Sequence, residues 1–364
     1  MLQANPSFGF AIVAQAEMFP IGVTKENLKR IQISGRFRFF ICLLLKKCYN
    51  KIMKEYVLNY YPHFKCVAGK CKHSCCAGWE INIDSESLQN YKCENSSFAE
   101  KLKSGINFKK SKFKCDKTKR CAFLNQNGLC DLIINLGENS LCQVCRDHPR
   151  FRSFLEDRTE TGLGFSCEEA TRIILSFKDK IEPTLISDDG IDTQLDFIKN
   201  SVLEFRKKIV DVIQDGTVSI NGRIEKLLKM CNVNLNDICF KKIIKTFLSL
   251  ERLDKKWSKR LKNLRKHSLT KITNDNLSLY CEKFLVNSLY RHLLGAEDTM
   301  WVRARTVACI FSWLIIKSII ENESHSKDDF ECVVDVIRSY SAEIEYSEKN
   351  LEKLFKFAYK FIKI

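Results

Sequence analysis

The chain has 364 residues, 45% of them apolar and 29% charged, enough for a sizeable core and, at roughly 150 residues per domain, about two domains. Fourteen glycines and five prolines exclude a collagenous or low-complexity chain, and the apolar content excludes global disorder. Sixty basic against forty-four acidic residues give a net charge of +16, so the surface should attract an anionic partner.

Residues 1–52 carry no clear periodicity and no chemical motif, and are read as a poorly packed N-terminal extension. No secretory leader is evident, because Pro6, Gln15 and Glu17 interrupt the first stretch. The apolar runs Phe37 to Leu45 and Val307 to Ile316 are too short for a bilayer that needs about 20 residues. The expectation is a cytoplasmic protein with no membrane contact and with reduced thiols.

Residues 53–170 read as an irregular, cysteine-rich module. Trp79, Ile81 and Ile83 alternate as a half-buried strand would, and turn formers at 125–128 and Gly137 punctuate the rest. Residues 171–364 read as an α-helical domain. Ser166 and Glu169 have the spacing of a capping box at its start. The series Ile198, Val202, Phe205, Ile209, Val212 then predicts an amphipathic helix. So do Leu253, Trp257, Leu261, Leu264 and, later, Leu351, Leu354, Ala358, Phe361. Only Gly190, Gly216, Gly222 and Gly295 interrupt after Pro183, too little punctuation for a sheet. The predicted fold class is mainly α, a metal-binding module followed by a helical domain.

The eighteen cysteines are concentrated, with eleven lying between Cys66 and Cys167. The spacing runs Cys66-x4-Cys71-x3-Cys75-Cys76, then Cys121-x8-Cys130, Cys142-x2-Cys145 and Cys167. Thiolate is a soft ligand that suits zinc and iron–sulfur clusters, and a two-residue gap aims both sulfurs at one centre. These nine cysteines are the candidate metal ligands. Nine exceed the four that one centre takes, and the adjacent Cys75 and Cys76 cannot easily share a metal atom. Cys231, Cys281 and Cys309 are expected to pack as small hydrophobes. Cys93 and Cys115 fall outside the pattern. His63, His73 and His148 lie among the cysteines but read as surface or hydrogen-bonding residues. Spacing alone leaves zinc and a four-iron cluster both open.

Several stretches resemble the bacterial flagellin lysine-N-methylases. They are Tyr61-Pro-His-Phe64, Cys66, Cys71-Lys-His-Ser-Cys75-Cys76-Ala-Gly-Trp79 and Ile83-Asp84. Cys121-Ala-Phe-Leu124, Asn127-Gly-Leu-Cys130, Leu136-Gly-Glu138, Leu141-Cys142-Gln-Val-Cys145 and Pro149-Arg150 continue the likeness. Ser166-Cys167-Glu-Glu-Ala170, Ala342-Glu-Ile-Glu-Tyr346 and Asn350-Leu-Glu352 extend it towards the C-terminus. The cysteine half also resembles a wider group of zinc- or iron-chelating cysteine-cluster proteins. The resemblance implies methyl transfer from S-adenosylmethionine to lysine ε-amines of flagellin. It further implies an iron–sulfur cluster, with zinc the alternative. Residues 1–52 match nothing in the family.

Only the neutral amine of a lysine attacks a methyl donor, so the ammonium, with an ordinary pKa near 10.4, must first lose its proton. No residue identifies itself as that base. The lone Gly162-Leu-Gly164 is weak as a cofactor loop and reads as a simple helix start. A radical S-adenosylmethionine enzyme would carry Cys-x3-Cys-x2-Cys, whereas Gly78 follows Cys71 and Cys75 at the third position. The basic stretch from Arg252 to Lys271 is first a solvated face over an apolar stripe, and second a dock for an acidic protein. No nucleic-acid module is evident, so nucleic acid ranks low as a partner. The competing reading is a non-catalytic metal-chelating scaffold that binds a protein partner.

Overall fold

The computed structural model describes residues 54–155, 157–188, 195, 197–266, 271–323 and 329–363. All of them fall in the compact unit Met53–Ile364, and the extension expected at residues 1–52 lies outside them.

The chain opens with strand β1 (Lys54–Leu58). It then leaves for the cysteine-rich region, which holds helices α1 (Ser85–Cys93) and α2 (Ala99–Gly105) and the small hairpin β2 (Ile106–Asn107) and β3 (Lys112–Phe113). Two short helices follow, α3 (Asp131–Leu136) and α4 (Gln143–Asp147). The chain returns to the sheet with β4 (Arg150–Phe154) and β5 (Arg158–Leu163), crosses by α5 (Glu168–Ser176) and completes the sheet with β6 (Pro183–Ser187). Next come α6 (Phe197–Ile213), α7 (Ile220–Met230), α8 (Phe240–Ser249) and α9 (Lys255–Asn263). The last four are α10 (Asp275–His292), α11 (Thr299–Glu323), α12 (Phe330–Tyr340) and α13 (Glu348–Tyr359), with one π turn at Ser341–Glu345 before α13. The protein is mainly α, as the periodicities predict.

The sheet order is β4-β5-β1-β6. β1 runs parallel to β5, with Lys54 opposite Arg158, and antiparallel to β6. A parallel pair needs a long crossover. Here the cysteine-rich region is that crossover.

The apolar interior forms two clusters. One lies wholly in the cysteine-rich region and includes Ile81, Leu102, Phe113, Phe123, Leu132 and Cys142. The other takes Leu58, Leu163 and Phe165 from the sheet side together with the helices as far as Ile362. α11 sits at its centre, buried on all sides from Val302 to Ile320. That explains the apolar run 307–316 without a membrane. Among the described residues no helix is long and apolar enough to cross one.

Side-chain caps fix the helix starts, as the orphan first-turn amides demand. Asp84 caps α1, Ser219 α7, Asp254 α9, Asn274 α10, Asp329 α12 and Ser347 α13. The capping box expected at Ser166 and Glu169 does not form. Cys167 is the N-cap of α5 and gives no side-chain cap, Ser166 Oγ is buried without a partner, and Glu169 turns to Arg172. The Trp79–Ile83 alternation is correct in burial for Ile81 and Ile83. Its backbone, however, makes one isolated bridge, Asn82 with Lys112 of the two-residue strand β3, flanked by bonds from Ile83 N–H to Ser111 O at 2.8 Å and from Phe113 N–H to Ile81 O at 3.1 Å. Trp257, Leu261 and Leu264 are fully buried as expected, whereas Leu253 sits in the turn before α9 and is 72% exposed.

Candidate functional site

The nine cysteines expected as metal ligands fall into two neighbourhoods, joined at the adjacent pair Cys75–Cys76, whose side chains hydrogen-bond to each other. Cys71 and Cys75 both feel the charges of Cys66 and Cys167. Cys76 is felt by Cys121, Cys130 and Cys145, and Cys145 is hydrogen-bonded to Cys142. Cys66, Cys71, Cys75 and Cys167 thus make one set. Cys76, Cys121, Cys130, Cys142 and Cys145 make the other.

Two carboxylates hold these sets together. Glu168, next to Cys167 and buried, accepts the Lys72 N–H at 2.8 Å and stands 3.1 Å from His73 Nδ1. It therefore ties the Cys71–Cys75 loop to the start of α5. Asp84 accepts the Ser87 N–H at 2.9 Å as the cap of α1 and the Gln143 N–H at 2.8 Å. This fixes the turn that carries Cys142 and Cys145. A backbone bond from Cys121 N–H to Cys76 O at 2.8 Å, with bridges Cys115–Cys121 and Leu124–Cys130, sets the remaining thiols beside them.

Crowding is visible in the acidities. Burial, then the neighbouring Cys167, pushes the Cys71 thiol up to about 12. Burial pushes Cys121 to about 12 and also raises Cys130 and Cys167. In the Cys142–Cys145 pair the hydrogen bond lowers Cys142 and raises Cys145. Thiols packed this closely cannot all ionise unless a cation neutralises them. Among the described residues no group of three or more His, Cys, Asp or Glu stands close enough to hold a metal ion. The sets are neighbourhoods of soft donors, suited in kind to zinc or to an iron–sulfur cluster.

Of the histidines, His73 pairs with Glu168 and lies 3.6 Å from Asp335 Oδ1, a hydrogen-bonding role. Cys231, Cys281 and Cys309 are buried in the helical core, as packing residues would be. Cys93 is exposed, and Cys115 is half-buried beside Cys121.

A second polar centre was not legible as a site. Glu345 ends the π turn with its side chain fully buried. It meets Ser341 Oγ at 2.5 Å, His292 Nε2 at 3.0 Å and Arg291 Nη1 at 3.4 Å. Burial alone would raise its carboxyl, but Arg291, His292 and Ser341 hold it down at about 2. Arg291 also lies 4.8 Å from the Tyr346 ring and 5.7 Å from Phe151. A Cβ at Gly164 would stand 2.6 Å from Arg291 Nη1, 3.0 Å from Tyr346 Oη and 3.1 Å from Pro149 O, so a larger residue there would push the guanidinium out of place. His148 packs against Tyr346, where burial and the charges of Arg291 and Arg150 hold its imidazole down at about 4. It is neutral at pH 7. Tyr346 is 45% exposed at the rim. The triangle behind it is fully buried: Leu163 N–H donates to Tyr60 Oη at 3.1 Å, Tyr60 donates to Asn287 Oδ1, and Asn287 donates to Leu163 O at 3.1 Å. The sequence signals were Pro149-Arg150, Gly164 and Ala342 to Tyr346, far apart in the chain and joined only by folding.

Residues 153–361, more than half of the chain, match the family model of the FliB lysine N-methylase C-terminal domain. The chain belongs to this lysine N-methylase family. A Lysine-N-methylase of Salmonella choleraesuis is 26% identical over 148 residues, 37% of this chain and 37% of that protein. The Flagellar biosynthetic protein FliU of Salmonella muenchen is 25% identical over 138 residues, 35% of this chain and 82% of that protein. A Lysine-N-methylase of Salmonella typhimurium is 25% identical over 148 residues, again 37% of each chain. The chain therefore covers well under two thirds of the first of these relatives. No solved structure matches it. The lysine N-methylase segment begins within β4 and contains Glu345, Ser341, Arg291, His292, Tyr346 and Asn287 of this centre, but not Tyr60, His148, Arg150 or Phe151.

Proposed function

We propose that the chain transfers the methyl group of S-adenosylmethionine to lysine ε-amines of flagellin, in the cytoplasm, and carries a cysteine-ligated metal centre. The family match over residues 153–361 carries this reading. The flagellar name of the Salmonella muenchen relative supports flagellin as the substrate. The chemistry balances without a redox partner. The amine lone pair forms the new N–C bond, the methyl–sulfur bond breaks, S-adenosylhomocysteine leaves, and the amine releases a proton.

An iron–sulfur cluster is favoured over zinc, with either of the two thiol sets holding it. When bound, such a centre supplies charge neutralisation and cross-links distant segments. Cys71 and Cys75 lack a third cysteine at Gly78, which supports a structural or anchoring role rather than radical generation. The exposed edge of Tyr346, backed by Arg291 and Glu345, is the favoured face for the amine, because charge is preorganised there on a rigid scaffold.

The test is incubation of the anaerobically purified chain with flagellin and methyl-labelled S-adenosylmethionine, with iron and sulfide measured in the same preparation. Label on flagellin lysines supports the enzyme. Metal without label supports a non-catalytic scaffold that binds a protein partner. Release of 5′-deoxyadenosine during turnover would overturn the non-radical reading.

A further inference from the structure

A groove of about 650 Å³ lies where the β2–β3 hairpin of the cysteine-rich region meets the turn before α9. Lys110, Lys112, Lys114 and Lys119 line it against two carboxylates, Glu80 and Asp116. Lys112 pairs with Glu80. Asp116 is occupied by its own loop, accepting Thr118 Oγ1 at 2.6 Å and the Arg120 N–H at 3.0 Å. Among the described residues Lys110, Lys114 and Lys119, all exposed, have no carboxylate within ion-pair distance.

The groove also has apolar walls. Trp79 is half-buried, and its indole N–H donates to Cys75 O at 2.8 Å, which fixes the ring. Leu253 faces it from the helical half and is 72% exposed. Its exposure is not looseness, because Glu343 accepts the N–H groups of both Leu253 and Asp254 at 2.8 Å. A rigidly presented leucine beside four lysines that face only two carboxylates suits a ligand with negative charge and an apolar side chain.

We propose that this groove seats an acidic polypeptide segment of the protein substrate, with an apolar side chain between Trp79 and Leu253. The choice of polypeptide over nucleic acid rests on the lysine-methylase reading. The groove's preference for negative charge rests on the lysines alone. A chain of net charge +16 repels lysine-rich surfaces, so an acidic segment near the target lysine would overcome that repulsion at encounter.

The test is fluorescence anisotropy with a short labelled peptide of glutamates and aspartates around one leucine, without methyl donor. The exposed triple variant Lys110→Glu, Lys114→Glu, Lys119→Glu should weaken binding by about tenfold or more. The variant Lys241→Glu, Lys242→Glu, Lys245→Glu makes the same charge change on α8, outside the groove, and should cost less than about twofold. Leu253→Ser should weaken the same peptide severalfold while leaving a leucine-free acidic peptide unaffected. Equal loss in both triple variants means a diffuse field and overturns the proposal. Tighter binding of single-stranded DNA of equal charge, lost in the groove variant, also overturns it in favour of nucleic acid. Peptide binding is read without turnover, so failure of methyl transfer leaves this result standing and refutes only the enzymatic reading.

Discussion

At the scale of single residues, the most consequential interactions are buried ion pairs. Arg206 grips Glu160 bidentately at 2.6 and 2.7 Å, both side chains nearly inaccessible, with the guanidinium 4.8 Å from the Tyr290 ring. Removing one partner strands the other charge. Glu160→Ala should lose about 3–5 kcal/mol in denaturant unfolding, far more than an exposed pair such as Lys349–Glu251 would show. His148 adds a pH dependence. In the folded chain it stays neutral down to about pH 4, whereas the unfolded residue takes up its proton near 6.5. The unfolded state binds more protons across that window, so stability present above pH 6.5 falls as pH drops towards 4. Melting temperatures of His148→Gln should fall less steeply over the same interval. Glu345 acts lower on the scale. Its contribution is present above about pH 4.5 and is lost as pH falls through about 2.

At the scale of elements, the cysteine loops depend on what ties them down. Replacing Cys142 and Cys145 by Ser should lower metal content and melting temperature together, because metal binding is folding free energy in such sites. Unchanged values of both would remove them from the ligand set. Cys309→Ala should leave metal content intact, since Cys309 packs inside α11. Glu168→Ala should release the Cys71–Cys75 loop and weaken metal retention, read as faster loss of metal to a chelator, while α5 stays folded. Helices were readable because burial on one face writes its period into the sequence: Val202, Ile209, Leu354 and Ala358 are all in the core. The same period placed Leu253 on a stripe it does not join, because Asp254 caps α9 one residue later. Periodicity does not say where a cap falls. Ser166 and Glu169 have the spacing of a capping box, but the N-cap is one residue later, at Cys167, and Glu169 pairs with Arg172. Nor could spacing say that Cys75 faces Cys66 and Cys167 while Cys76, hydrogen-bonded to it, lies beside Cys121 and Cys130, since long-range contacts decide both.

At the scale of the whole molecule, charge and burial sort the basic residues into two kinds. Arg260 looked like part of a solvated basic face. It is buried and held by Glu323 at 2.8 Å, Asp335 at 2.7 Å and Ser339 Oγ at 2.9 Å. Lys110, Lys114 and Lys119 of the groove, by contrast, stay exposed to solvent. The sequence could count both kinds but could not tell them apart, because the deciding carboxylates sit on α11 and α12. The Glu345 centre was illegible for the same reason, assembled from the end of β5, α10 and the π turn.

The cysteine-rich region departs after Leu58 and comes back at Arg150, which pairs with Leu163 at the end of β5 that Val57 of β1 also approaches. Departure and return are therefore at the same end of the strands, two strands apart, about 10 Å at ordinary strand spacing. A segment attached in this way behaves like a drawer in a cabinet. Removing any metal bound there should let its own apolar cluster open first, and calorimetry should record a low-temperature transition for the cluster between Ile81 and Cys142, followed by a separate one for the sheet and its helices, to which Tyr60 belongs.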